Sequence, residues 1–346
     1  MTEMAVVGPA RTAGDVLAWS RGLVDPALRK AVDTIADPLR HIAGYHLGWW
    51  DEDGNPADAN GGKAIRPALT LLTAGAVGAD PAVALPAAVA VELVHNFSLL
   101  HDDVMDGDLT RRHRRTAWSV FGRRYAILTG DALVTVAFDV LSSCGNPAVQ
   151  TGLRRLSSTV LDLLHGQYED IFFERRDNVD LAECQHMAAC KTGALLGSSC
   201  ALGALFGGGT PEQVHHLGSF GSLIGLAFQH HDDLLGIWGD PATTGKPIYS
   251  DLDSRKKSLP VVAALVSDTP AGHELADLYR RESPLSSGDL VHAADLVDQA
   301  GGRTWSQTQT TQLLNEALSH LNDATPHEPA ATELTTLARM ITRRDH

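Results

Sequence analysis

Aromatic residues are scarce, 5% of 346 positions, while Ala, Leu, Val and Gly abound. That balance favours close-packed helices over a β-sandwich, whose strands draw on aromatic and β-branched side chains. Cysteine is rarer still. Cys144, Cys184, Cys190 and Cys200 form no C-x-x-C pair, so neither a disulfide framework nor a zinc module is expected, and free thiols in a reducing compartment follow. Basic charge is outnumbered, with 28 Lys and Arg against 42 Asp and Glu and a net charge of −14. The chain therefore lacks the footprint of a nucleic-acid binder. The first residues, MTEMAVVGPARTAGDV, contain no long apolar stretch, which argues against a secretory signal and, with the reduced thiols, for a cytoplasmic protein. The longest uncharged run, Thr192 up to Glu212, is Gly-rich and weakly apolar. It reads as a buried core helix ending at Gly207-Gly208-Gly209, with no stable membrane insertion.

What is present is enough for a large core. With 44% apolar residues the chain can bury most of the surface it exposes when unfolded, which excludes disorder as the main state. Residues 1–14 read as a tail and 15–346 as one helical domain. Apolar residues recur at helical spacing from Val16 to about Trp50 (Val16, Leu17, Leu23, Val24, Leu28, Val32, Ile35). DEDGNPADANGG, 51–62, is a loop by composition. Helical spacing predicts further elements over Ile65–Asp106 with breaks at Pro81 and Pro86, then Ala126–Leu141, Val149–Phe173, Leu181–Phe206 and Pro211–Ile237. GDPATTGKPIYSDLDSRK, 239–256, is a polar loop. Shorter helices follow over Leu259–Val266, Glu274–Arg281, Gly288–Ala300 and Thr304–Leu321. No run sustains the alternation of a strand.

One pattern occurs twice. HDDVMDGD begins at His101 and HDDLLGIWGD at His231, each near the C-terminal end of an apolar helix. Asp102 and Asp106 are spaced i, i+4, and Asp103 and Asp106 i, i+3, so on a helix they share a side. Crowded carboxylates repel unless a cation sits among them. A solvated acidic face is the plain alternative, and it fits poorly beside Phe97, Leu99, Leu100, Val104 and Met105. Asp232 and Asp233 pose the same problem, with Gln229 on the same side and Asp240 further on. Two such clusters facing one another would hold hard divalent cations through oxygen, and Mg2+, which is commonly shared between carboxylates and a substrate phosphate, suits them best. His101 and His231 read as hydrogen-bonded structural residues. Cations complete the pattern. Lys63 and Arg66 lie in GGKAIRP, His95 lies two turns before Asp102, and Arg111, Arg112, Arg114 and Arg115 follow the first acids. Lys191, Lys246, Lys256 and Lys257 lie further on. A diphosphate needs both kinds of partner.

These residues resemble the trans-isoprenyl diphosphate synthases, or polyprenyl synthetases, from about Gly61 to Pro260. The motifs stand in the family's order. They are GGKAIRP, VELVHNFSLLHDDVMD from Val91, Arg111-Arg112, Gly130-Asp131, Gly166-Gln167, Lys191-Thr192, Phe228-Gln229-x-x-Asp232-Asp233, and Gly245-Lys246 with Asp251 and Lys256. The resemblance implies an all-α, single-domain helical bundle of the isoprenoid-synthase type with a central cavity, and a homodimer. It implies that Asp102, Asp103, Asp106, Asp232 and Asp233 hold about three Mg2+ around an allylic diphosphate, with Asp240 assisting through water. Arg111, Lys191 and Lys256 would contact that diphosphate, with Lys246 beside it. Lys63, Arg66, His95 and Arg112 would grip isopentenyl diphosphate, and Thr192 and Gln229 would lie near the allylic cation. The aromatic Phe97 followed by small Ser98 resembles the geranylgeranyl-type synthases, with farnesyl as the second product reading.

Two features depart from the family pattern. Gly236 stands where many members carry Asp, and His113-Arg114-Arg115 stands where Gly-x-Pro is usual after the paired arginines. A class I terpene cyclase would share the helical fold. It would not need Lys63, Arg66 and His95, and its second motif would read N-D-x-x-S-x-x-x-E rather than DDLLGIWGD. A non-catalytic regulatory subunit of such a synthase would tend to lose one acidic motif, and both stand here.

Overall fold

Thr12 starts the first helix by accepting the Asp15 N–H, leaving α1 to run Ala13–Val32. The computed structural model describes residues 10–57, 62–241, 247–281 and 283–342. Within the segment read as a tail, residues 10–14 are held: Arg11 forks onto the buried Glu333 at 2.8 and 2.7 Å and stacks on Trp19. The helices α2 (Leu39–His46), α3 (Ile65–Ala76), α4 (Leu85–Asp106), α5 (Ala117–Phe121), α6 (Arg123–Ser142), α7 (Val149–Phe173), α8 (Leu181–Ala188), α9 (Ala194–Phe206) and α10 (Pro211–Trp238) follow. Shorter or later helices lie at Ser250–Asp253, Leu259–Leu265, Pro270–Tyr279, Ser287–Gln299, Gly302–Asp323 and Ala330–Thr342. The all-α expectation is met. Among the described residues the named strands are two, Thr110–Arg111 and Arg114–Arg115, paired as one antiparallel hairpin.

The chain divides into two compact units. One comprises 1–160, 195–221 and 319–337, the other 161–194, 222–318 and 338–346, as far as they are described. In the first unit, α4 is buried on most of its surface, with Ala87 through Val91, Leu93, Val94, Phe97 and Leu100 buried and the polar Glu92 and Asn96 buried among them, as expected of a helix at the centre of a core. It ends at Gly107, whose φ of +72° is the left-handed conformation a helix C-terminus favours in glycine. Close backbone approach shapes the same core, because a Cβ at Gly203 on α9 would lie 2.0 Å from the Thr70 carbonyl of α3. In the second unit, Ile237, Leu252, Val261, Leu275 and Val297 form one core cluster. Phe173, Cys184, Met187, Leu259 and Val262 form another. Among the described residues, three segments are long and apolar enough to cross a membrane. Windows of Pro81–Asp106 and Leu181–Phe206 are 72% and 67% buried inside the protein, and that of Arg123–Ser142 is 33% buried.

Candidate active site

In the first unit the acids Asp102, Asp103 and Asp106 occupy the last two turns of α4, where the helix dipole already points its negative end. They are graded by burial: Asp106 is exposed, Asp102 half-buried and Asp103 1% exposed. Arg111 Nε donates to Asp103 Oδ1 at 2.6 Å, and Asp103 Oδ2 is buried without a hydrogen-bond partner. Burial pushes the Asp103 carboxyl up to about 6 against the opposing pull of Arg111. Carboxylates at a helix C-terminus, one of them with an orphaned oxygen, form an all-oxygen donor set that fits a hard divalent cation.

The hairpin places the arginines. Arg112 and His113 take φ of +52° and +62°, as in a two-residue type I′ turn. Non-glycine residues in this region are strained, and such strain gathers at functional sites. The turn separates four arginines by task. Arg114 stacks over the Tyr45 ring and donates to the Tyr45 and Trp50 carbonyls, and Arg115 donates to the Ser119 carbonyl. Both anchor the hairpin. Arg111 faces Asp103, and Arg112 lies against Gly62, where a Cβ would come within 2.5 Å of its guanidinium. With φ of +101° as well, Gly62 of GGKAIRP tolerates no side chain.

Lys63 directly precedes the N-terminus of α3 and Arg66 is in its first turn, where backbone N–H groups suit an anion. His95, half-buried, is held well below the usual histidine range by burial and then by Arg66, Arg112 and Arg111. Arg66 and Arg112 are thereby brought together in this unit beside a neutral His95, two cations and a hydrogen-bonding ring of the kind a diphosphate can use. His101 Nε2 donates to the Ile127 carbonyl, a structural role. Phe97 is 4% and Ser98 8% exposed. The Phe97 ring meets the His101 ring edge-on, and Ser98 Oγ donates to the His95 carbonyl at 2.8 Å.

The second unit holds its own ionic group. After α8 the chain makes one π-type turn over Ala189–Gly193, a widening common at functional sites. Gly166 on α7 allows it close, since a Cβ there would lie 2.4 Å from the Lys191 backbone nitrogen. Lys191 Nζ pairs with Asp170 at 2.6 Å. Burial alone would raise the Asp170 carboxyl, but Lys256 and Lys191 outweigh it and hold it below the usual range. Both amide atoms of Gln167 are buried without a partner. Thr192 Oγ1 donates to Gln229 Oε1 at 2.5 Å, and Gln229 Nε2 donates to Asp233 Oδ1 at 2.7 Å. The Leu259 N–H donates to Asp233 Oδ2 at 2.9 Å. Asp233, 3% exposed, is pushed up to about 6 by burial, with Lys256 opposing. Asp232 is half-buried and Asp240 exposed. His231 lines a cavity with Trp238 and Arg303. At Gly236 a Cβ would come within 2.3–2.6 Å of all three carboxylate atoms of Asp251. Lys246 and Gly61 lie outside the described residues.

Sequence reasoning missed Asp170 and the unpartnered amide of Gln167. The signal was there. Leu163, Gly166, Gln167, Asp170 and Phe173 recur at helical spacing along α7, and Asp170 is the acid in that row.

A polyprenyl synthetase family model matches residues 56–297. Two proteins of Mycobacterium tuberculosis are similar over nearly the whole chain. A (2E,6E)-farnesyl diphosphate synthase is 45% identical over 95% of this chain and 92% of its own length, and a geranylgeranyl diphosphate synthase is 44% identical over 97% and 95%. A crystal structure of a polyprenyl synthetase from Streptomyces coelicolor superposes with a TM-score of 0.90 at 45% identity, covering 95% of this chain and 99% of that one. A geranylgeranyl pyrophosphate synthase from Corynebacterium glutamicum, complexed with isoprenyl diphosphate and magnesium, superposes with a TM-score of 0.81 at 26% identity over 96% and 100%. The chain belongs to the polyprenyl synthetase family and is a trans-prenyltransferase, a short-chain isoprenyl diphosphate synthase.

Proposed function

We propose that the chain condenses isopentenyl diphosphate head-to-tail with an allylic diphosphate and stops at geranylgeranyl diphosphate. The observation that carries this reading is the floor of α4. Ser98 is small, buried and one turn before Asp102 on the same face, with the buried Phe97 ring next to it. A growing chain that starts at Asp102 and runs back along α4 meets a small residue first and an aromatic one beyond. Farnesyl diphosphate is the second reading, because the farnesyl and geranylgeranyl relatives are equally similar to this chain. Product analysis decides between them. Phe97→Ala should lengthen the products and Ser98→Tyr should shorten them, and unchanged distributions in both variants would remove α4 as the ruler.

We infer that Asp102, Asp103, Asp106, Asp232 and Asp233 bind about three Mg2+ on the allylic diphosphate. Bound Mg2+ would neutralise that leaving group and favour its ionisation. The chain's own residues do the rest. Arg111 keeps its terminal amines for the diphosphate while its Nε holds Asp103. Lys191, fixed by Asp170, and Lys256 add charge to the same group. Lys63, Arg66, His95 and Arg112 hold isopentenyl diphosphate, so that its alkene is positioned rather than free in solution. Thr192 and Gln229, hydrogen-bonded to each other, lie near the developing cation. The released diphosphate accepts the proton lost at the end.

We propose that the active form is a homodimer in the cytoplasm. On α7, Leu161, Leu164, Tyr168 and Phe172 are 44–65% exposed at i, i+3, i+7 and i+11, a single apolar face. A second copy of the chain would cover it. Leu164→Glu should convert the dimer to monomer by light scattering coupled to size exclusion; an unchanged mass would place the interface elsewhere.

A further inference from the structure

Away from the aspartate and lysine groups, the ends of two helices that lie in the first unit bring three ligand-type side chains together. His216 stands on α10. His320 and Asp323, spaced i, i+3, occupy the last turn of the helix Gly302–Asp323. His216 Nδ1 and His320 Nδ1 are 2.9 Å apart. One ligand atom from each of His216, His320 and Asp323 lies within 4.8 Å of the other two. Both histidines are half-buried and Asp323 is exposed. Nearby, the Gln213 side chain on α10 donates through Nε2 to the Ala324 carbonyl just past the end of the second helix, so a hydrogen bond already ties the two together at this point.

Two imidazole nitrogens at that separation can hold one proton between them. The same two lone pairs can instead hold a metal ion. Zinc–imidazole bonds of ~2.0–2.1 Å in tetrahedral geometry set neighbouring ligand atoms about 3.3 Å apart, so the pair needs to open by only a few tenths of an ångström. The electrostatics favour a cation. His320 and Asp323 sit at the negative end of a helix dipole, and Glu212 lies one turn before His216 on α10. The donor types choose among cations. Two imidazoles and one carboxylate suit zinc and its first-row neighbours, whereas Mg2+ takes oxygen. We propose that His216, His320 and Asp323 form a transition-metal site, best suited to Zn2+ with water as fourth ligand, that clamps α10 to the end of the helix Gly302–Asp323. It is chemically distinct from the all-oxygen sites of the prenyltransferase.

The test uses chelator-stripped full-length protein in excess Mg2+, which occupies oxygen sites. Zn2+ binding is followed by calorimetry and Co2+ binding by its visible absorption. One ion per chain is expected, with a raised melting temperature. His216→Ala/His320→Ala should weaken binding at least tenfold and abolish the thermal shift. Asp323→Asn, at an exposed position that leaves the packing intact, should weaken binding with no change in the metal-free melt. Undiminished binding in these variants overturns the proposal, as does binding that disappears on alkylating the thiols. No Co2+ or Zn2+ binding by the parent protein leaves only a histidine–histidine hydrogen bond and overturns it equally.

Discussion

Gly236 interrupts an acidic pattern, and its neighbour explains how the chain tolerates that. Positions 232 and 236 share a helix face at i, i+4. The carboxylate of Asp251 fills the space into which a side chain at 236 would project, at 2.3 Å from where its Cβ would be. Ser250 Oγ donates to the Gly236 carbonyl and the Tyr249 N–H to that of Ile237, so the segment carrying Asp251 is tied to α10 at this point. An acid therefore stands one turn after Asp232 even though position 236 has none, delivered from 15 residues downstream. Restoring Asp at 236 should harm the enzyme rather than improve it. Gly236→Asp sets two carboxylates in one volume, and kcat/KM is expected to fall by roughly tenfold or more, about 1.4 kcal/mol or above. Removing the competitor in Gly236→Asp/Asp251→Gly should recover much of that loss. Steady-state kinetics across a Mg2+ series reads both changes. A fully active Gly236→Asp, or a double variant worse than either single one, would show that the two positions do not substitute for each other.

Along single helices the sequence was highly legible, because period and end signals act locally. Val149–Phe173 carries an unbroken apolar period and is one helix with those bounds. Pro211 opens α10 at the first helical position. The hairpin at Thr110–Arg115 left no trace because strands of two residues are too short to alternate. The helix Ala330–Thr342 was not expected from the sequence, because its threonines mask the helical spacing of Leu334, Leu337, Ala338 and Ile341. What could not be read is contact between elements. Lys191 and Asp170 are 21 positions apart, and nothing local says that α7 will meet the π-type turn. Gly166 is where that meeting is decided. Gly166→Ala puts a methyl group 2.4 Å from the Lys191 nitrogen and 2.9 Å from its Cα, both backbone atoms that cannot swing aside. The elements must part, at a cost of ~1–3 kcal/mol in unfolding free energy. The Lys191–Asp170 pair shifts with them, so kcat should fall along with stability. Urea unfolding and single-turnover rates measure the two effects. A variant as stable and as fast as the parent would mean that the close approach is slack.

Taken together, the buried ionisable groups set how the protein responds to pH, and they pull in opposite directions. Asp103 and Asp233 are pushed up to about 6 by burial. For such acids, folding binds protons between the ordinary value and 6, so their contribution is best at low pH and is lost as pH rises through 6. A divalent cation binds the ionised form, so its stabilising effect should be greatest above that point. His46 is pushed down to about 3, by burial and then by Arg112 and Arg111, and His230 to about 4 by burial. For these bases the unfolded chain binds more protons below about 6.5, so stability present at neutral pH is lost as pH falls toward 4. His230 isolates the second effect. It is fully buried, 3.1 Å from Ser306 Oγ and edge-on to Trp305. Between pH 7 and pH 5 its burial should cost the folded state on the order of 2 kcal/mol. His230→Asn keeps a polar group for Ser306 and has no proton to gain, so whatever it loses at pH 7 it should lose less of on acidification. Urea-unfolding free energies at the two pH values, for parent and variant without metal, form the comparison. The parent should fall further than the variant by that difference, and parallel pH profiles would mean that His230 takes up its proton in the folded protein as readily as in the unfolded chain.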